Sequence, residues 1–154
     1  MKLVPASLIL CAISVALAQQ PAAPAPPVLS TFASSADVAA LIAKAKSEHK
    51  DGQAIVTEKI LQFAPYTATL EYRASAGAPA IHPKDAEMMY VIDGKATFVT
   101  GGKIAGTAIE GGDSRTVSKG DFMVVPENTA HQFSAIDTTL VLMTIKMPRG
   151  GTAN

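Results

Sequence analysis

The chain has 154 residues, of which 48% are hydrophobic and 17% are charged, and 13 acidic side chains balance its 13 basic ones. This length allows one domain with a modest core. Since the balanced charge leaves no basic excess to hold nucleic acid or an anionic membrane surface, we expect neither as a partner. A single domain must therefore account for the function.

A secretory signal peptide is predicted at residues 1–18. Lys2 precedes a nearly unbroken apolar stretch at residues 3–17, and small residues stand at Ala16 and Ala18. This is the order of a signal peptide cleaved after Ala18. The apolar stretch is also shorter than the roughly 20 residues that a membrane-spanning helix needs. We therefore expect a secreted or periplasmic protein with no membrane partner after cleavage.

The only cysteine, Cys11, lies inside this signal peptide. Cleavage leaves a mature chain without a thiol, which excludes a disulfide scaffold, thiolate catalysis and a zinc-finger type of site. Any metal ion must therefore be held by His, Asp and Glu side chains.

Two short segments precede the main domain. Residues 19–33 are rich in Pro and Ala, which is typical of an extended tether. Residues 34–52 predict an amphipathic helix, because apolar side chains recur at three- and four-residue spacing. Ser34 or Ser35 would cap this helix, and Gly52 would end it.

Residues 53–148 have the pattern of a mainly β domain. Apolar and polar residues alternate in 66–73, as in a strand with one buried and one solvent-exposed face. Short strands separated by glycine-containing turns indicate a sandwich or a barrel. Residues 149–154 are expected to form a disordered tail. The predicted strands are 54–63, 66–73, 87–92, 95–100, 103–110, 114–117, 122–125, 131–135 and 140–147.

A motif that ends at His131 has a clear physical interpretation. Gly120 is followed after five residues by Pro126, and Asn128 precedes His131 by three positions. Gly120 turns the chain into a strand, Pro126 ends that strand, and Asn128 tolerates a left-handed turn. This spacing resembles the second of the two paired motifs of the cupin superfamily.

The stretch that begins at His82 resembles the first cupin motif. His82 stands at the family's first ligand position and Glu87 at its carboxylate, while Gly94, seven residues later, stands at its hairpin turn. Lys84 replaces the family's second histidine, and the spacer before Glu87 is short. The resemblance covers about residues 65–147, and the two motifs together are more specific than either alone.

The resemblance implies one cupin barrel, a double-stranded β-helix or jelly roll of roughly eight to ten strands. The apolar face of the N-terminal helix should then cover the outside of the barrel or a dimer seam. His82, Glu87 and His131 should converge inside the barrel on a divalent ion of Fe, Mn, Ni or Zn. The alternatives are hydrogen-bonded structural histidines and a Glu87 at a strand edge.

Lys84 is the predicted catalytic residue. A protonated ammonium has no lone pair and is a poor metal ligand, but beside an open metal position it could bind an anionic substrate or act as a base. The alternative is a solvated loop residue next to a site with three protein ligands.

Two functions stay open at this point. The first is a metal-dependent enzyme that acts on a small organic molecule, and the fold alone does not name the reaction. The second is a non-catalytic module that binds or senses a small ligand or a metal ion, which the missing second histidine favours. A homodimer is compatible with either function.

Overall fold

The computed structural model describes residues 31–149, which form one helix and eight strands. The prediction of a mainly β domain with one N-terminal helix is confirmed. The predicted signal peptide, residues 19–30 of the tether and residues 150–154 lie outside the described residues. In the described part, no helix is long and apolar enough to cross a membrane. The elements are α1 (Ser35–Glu48), β1 (Ile55–Phe63), β2 (Tyr66–Arg73), β3 (Asp85–Thr100), β4 (Lys103–Ala105), β5 (Ala108–Glu110), β6 (Asp113–Ser118), β7 (Phe122–Val125) and β8 (His131–Pro148).

The domain is organised around two long antiparallel strands, β3 and β8, which pair along their whole length. The first half of β3 also pairs with β7, and its second half pairs with β6. The second half of β8 pairs with β2, and β1 follows at the edge of the sheet. Strands β4 and β5 form a separate hairpin. The two halves of the β3–β8 ladder therefore belong to different parts of the barrel wall.

A series of β-bulges bends this ladder between Val91 and Ala96. Buried side chains alternate at Met89 and Val91 before the bend and at Ala96 and Phe98 after it. The core-facing positions thus change from odd to even numbers, as one extra residue in a bulge requires. The bend lets both halves of β3 contribute to one core, which comprises Met89, Val91, Ala96, Phe98, Val117, Val125, Phe133, Leu140 and Leu142.

Gly94 lies inside the bulged part of β3, so the predicted hairpin turn at this residue is wrong. Its φ is +93°, and a Cβ built there would lie 2.1 Å from the carbonyl oxygen of Thr139. Glycine is therefore required by a close approach of β3 to β8.

Other strand boundaries also differ from the prediction. The segments 131–135 and 140–147 belong to one strand, β8, just as 87–92 and 95–100 belong to β3. The segment 103–110 is divided into β4 and β5 by a turn in which Gly106 has a φ of +61°. Polar and glycine residues mark bulges as well as turns, so composition does not distinguish the two.

Helix α1 covers the outside of the barrel, which is one of the two positions expected for it. The Ser34 hydroxyl accepts a hydrogen bond from the Asp37 N–H at 3.1 Å, and the Asp37 carboxylate accepts one from the Ser34 N–H at 2.8 Å. This capping box starts the helix. The helix ends at Glu48, before the predicted Gly52. Its buried Ala45 packs against side chains of β1, β2 and β8, namely Val56, Leu70 and Val141.

The C-terminal end of the domain is held against the site-bearing loops. The backbone N–H of Arg149 donates to the carbonyl oxygen of Lys84 at 3.0 Å, and the Arg149 guanidinium pairs with the Glu127 carboxylate. Arg149, the first residue of the predicted tail, therefore contacts the domain, and the other residues of that tail lie outside the described range.

Candidate metal centre

The turn that leads to His131 has the predicted backbone geometry. Gly120 has a φ of +92°, β7 ends directly before Pro126, and Asn128 has a φ of +56°. The backbone of His131 then exchanges two hydrogen bonds with that of Ala80, at 2.9 and 3.0 Å. The backbone preferences of Gly120, Pro126 and Asn128 thus determine where β8 begins, at His131.

The other two residues reach the same place from a loop and a strand. His82 follows the bridge formed by Ala80 and His131, and its carbonyl oxygen accepts the Asn128 N–H at 2.9 Å. Glu87 lies in the first half of β3 with only 6% of its surface exposed. The first motif therefore brings His82 and Glu87 to the place where the second motif brings His131.

The three predicted ligands meet in the structure. Glu87 Oε2 lies 3.2 Å from His82 Nε2 and 3.1 Å from His131 Nε2. One donor atom from each residue lies within 4.8 Å of the other two. His131 and Glu87 are buried, and His82 is half-buried. This cluster could hold a metal ion with access from one side.

The donor atoms fit a divalent transition-metal ion. Bonds of about 2.1 Å at right angles place neighbouring donors about 3.0 Å apart, close to the two observed separations. His131 Nδ1 lies 3.2 Å from the Thr129 carbonyl oxygen. With a metal ion bound, a proton on Nδ1 would satisfy that carbonyl and leave the Nε2 lone pair for the ion. The residues present therefore suit Fe(II), Mn(II), Ni(II) or Zn(II).

The surroundings of Glu87 favour its charged form. Burial alone would raise the pKa of this carboxyl, but the hydrogen bond from His131 and the charges of His131, His82 and Lys146 outweigh burial and hold the pKa below its ordinary value. The carboxylate is therefore available as an anionic ligand at neutral pH.

Lys84 is not brought into this cluster. Its side chain is exposed and lines a surface depression together with Pro83, Asp85, Pro148 and Arg149. Lys84 is also not among the charges that lower the pKa of Glu87. The catalytic role of Lys84 stays a prediction without support from this geometry.

Lys146 is an exposed lysine whose charge acts on Glu87, and its sequence context does not single it out. In the sheet, Lys146 of β8 lies directly opposite Glu87 of β3 and opposite Thr67 of β2. Directly opposite residues of an antiparallel pair project from the same face. The alternation within β8 places Lys146 on one of its two faces, but only the register with β3 shows that Glu87 shares it.

A cavity of about 380 Å³ lies on this face of the sheet, and Lys146, which pairs with Glu87, is one of its lining residues. The polar face of β2, predicted to be exposed to solvent, is instead half-buried and lines this cavity. Next to it, Arg73 Nε donates to Glu71 Oε2 at 2.8 Å, and the Arg73 guanidinium lies 5.0 Å from the centroid of the Phe133 ring. The residues that line the cavity are Thr57, Thr67, Thr69, Glu71, Thr144 and Lys146.

Solved structures with a similar fold have low sequence identity to this chain. A Bacillus halodurans protein, BH2720, has a TM-score of 0.55 and 15% identity, over 79% of this chain and 83% of that one. The Photorhabdus luminescens protein plu4264 has a TM-score of 0.50 and 14% identity, over 67% and 82%. HppE, solved in an Fe(II) form, has a TM-score of 0.53 and 16% identity, over 62% of this chain and only 52% of its own. At these identities the likeness concerns the fold.

Family membership follows from the sequence comparison. No protein of curated function matches the chain. The family model described as "Cupin domain" matches residues 66–146, which are 81 of the 154 residues. This range contains all three residues of the cluster and Lys146, and it agrees with the two motifs found in the sequence. The chain belongs to the cupin family.

Proposed function

We propose that this protein is a secreted cupin that binds one divalent metal ion and uses it to act on a small organic molecule, as a monomer or a homodimer. The observation that carries the proposal is the position of Glu87 Oε2, within 3.2 Å of two imidazole Nε2 atoms. The Fe(II) form of HppE, a structural neighbour, supports iron as one candidate. The same donors also suit manganese, nickel and zinc.

A bound ion would supply Lewis-acid or redox chemistry at coordination positions that the protein does not fill. The chain itself binds and orients this ion. His131 is aligned by the Thr129 carbonyl, and its ring lies 6.4 Å from that of Phe98 in the apolar core. The burial of Glu87 and His131 excludes water from their side of the cluster. The half-buried His82 and the cavity lined by Lys146 leave room for a small molecule.

We expect the mature protein, residues 19–154, to contain close to one divalent ion per chain when it is purified without a metal-binding tag. Elemental analysis measures this content. Binding of nitric oxide or a small carboxylate, followed by the spectrum of the bound ion, then tests for open coordination positions. A purified protein that contains no metal, and whose thermal stability does not change when metal ions are added, would contradict the proposal. It would favour a non-catalytic ligand-binding module.

Secretion has a separate test. Expressed with its natural N-terminus in a bacterial host, the protein is expected in the periplasm or the medium, beginning at Gln19, since small residues at Ala16 and Ala18 suit the signal peptidase. N-terminal sequencing measures this, and Ala18→Arg should block cleavage whereas Ala22→Arg should not. An uncleaved protein in the cytoplasm would refute the prediction.

A further inference from the structure

We propose that the cavity lined by Lys146 binds a hydroxylated carboxylate, an organic acid with one carboxylate and several hydroxyl groups. This proposal builds on the proposed metal-dependent function and adds its substrate class. The cavity holds about 380 Å³, which accommodates a small organic acid of this kind. Four of its six lining side chains are threonines, and the other two are Glu71 and Lys146.

The threonine hydroxyls are arranged to meet a ligand with hydroxyl groups. Thr144 is 4% exposed and lies directly opposite Thr69 in the sheet. Within residues 31–149, the Thr144 hydroxyl has no hydrogen-bond partner. Every fully buried side-chain nitrogen or oxygen in that range has such a partner, so the Thr144 hydroxyl is not fully buried. The hydroxyl of this buried residue therefore opens onto the cavity. A ligand hydroxyl can both donate to it and accept from it.

The charges around the cavity favour an anion. Lys146 has no ion-pair partner in the described part of the chain, and its charge acts on Glu87. Glu71 is already paired with Arg73. A divalent ion, Lys146 and Arg73 carry four positive charges against the two negative charges of Glu71 and Glu87. The remaining two positive charges attract an anionic ligand to this face of the sheet.

The two ends of the cavity differ in charge. Lys146 lies opposite Thr67, whereas Glu71 lies four residues further along β2, a distance of about 13 Å along the strand. A carboxylate is therefore favoured near Lys146, whereas at the other end the Glu71 carboxylate, already paired with Arg73, can accept hydrogen bonds from ligand hydroxyls. This polarity favours an acid with one carboxylate and a hydroxylated chain over a dicarboxylate.

Calorimetric titration with glycerate, threonate and gluconate tests the proposal, with glycerol, threitol and sorbitol as their uncharged counterparts. At least one acid should bind the metal-containing protein, about tenfold or more tightly than its counterpart. Lys146→Met should weaken that binding about tenfold, and Thr144→Val should weaken it severalfold. Lys46→Met, which removes an exposed lysine of α1 on the outside of the barrel, should leave it unchanged.

Elemental analysis and titration of both metal-containing and metal-stripped protein separate this proposal from the metal centre. Variants that keep their metal ion but bind the acid more weakly would support the cavity as the binding site. Binding of none of the acids to a metal-containing parent, or equal losses in the Lys46 and Lys146 variants, would overturn the substrate class and leave the metal centre standing. A parent that binds an acid through Lys146 but holds no metal would support the cavity and overturn the metal-dependent function.

Discussion

Replacement of His131 by alanine is expected to remove the metal ion from the protein. His131 supplies one of three donor groups, and its Nε2 is directed at the cluster by the contact between Nδ1 and Thr129. Loss of residues that merely support a ligand costs about 10- to 100-fold in metal affinity, so loss of a ligand should cost at least about 100-fold. Elemental analysis of the purified variant should find little metal.

His82→Ala and Glu87→Gln should show the same loss. Glutamine keeps the size of Glu87 but removes the negative charge that both imidazoles face. His49→Ala is the matched control, since His49 caps the C-terminus of α1 far along the chain from both motifs and should not affect metal content. Full metal content in the His131 and Glu87 variants would place any bound metal elsewhere and would contradict the assigned ligands.

Gly94→Ala is expected to destabilise the fold by about 3 kcal/mol or more, the second large effect. The new Cβ would lie 2.1 Å from the Thr139 carbonyl oxygen and 2.8 Å from the Leu140 Cα. Both contacts are backbone atoms, which cannot turn away as a side chain can. The β3–β8 ladder would therefore have to open at its bend, and urea unfolding measures the loss.

Gly52→Ala is the control for this substitution. Gly52 has a similarly positive φ of +80°, but nothing lies within 4 Å of the position that a Cβ would take there. Its replacement should cost only the left-handed backbone penalty of about 1–2 kcal/mol. Equal losses in the two variants would show that backbone conformation, and not the contact between β3 and β8, explains the requirement for glycine at position 94.

Local sequence determines the parts of this protein that depend on nearby residues. The serine cap of α1 and the turn from Gly120 through Asn128 to His131 are encoded within a few positions, so their backbone geometry could be predicted. The two motifs also identified His82 and Glu87 as partners of His131, through resemblance to a family whose fold brings such residues together.

Only the tertiary structure decided which distant residues share a face. Gly94 was predicted in a turn because the residues of a bulge and those of a hairpin look alike in sequence. Lys84 is singled out in the sequence because it stands within a motif. Lys146 stands in no motif, and its relation to the cluster follows from its pairing with Glu87, 59 positions earlier in the chain. A shift of one residue in that pairing would turn Lys146 to the other face. Strand register depends on packing between remote segments, and no local pattern specifies it.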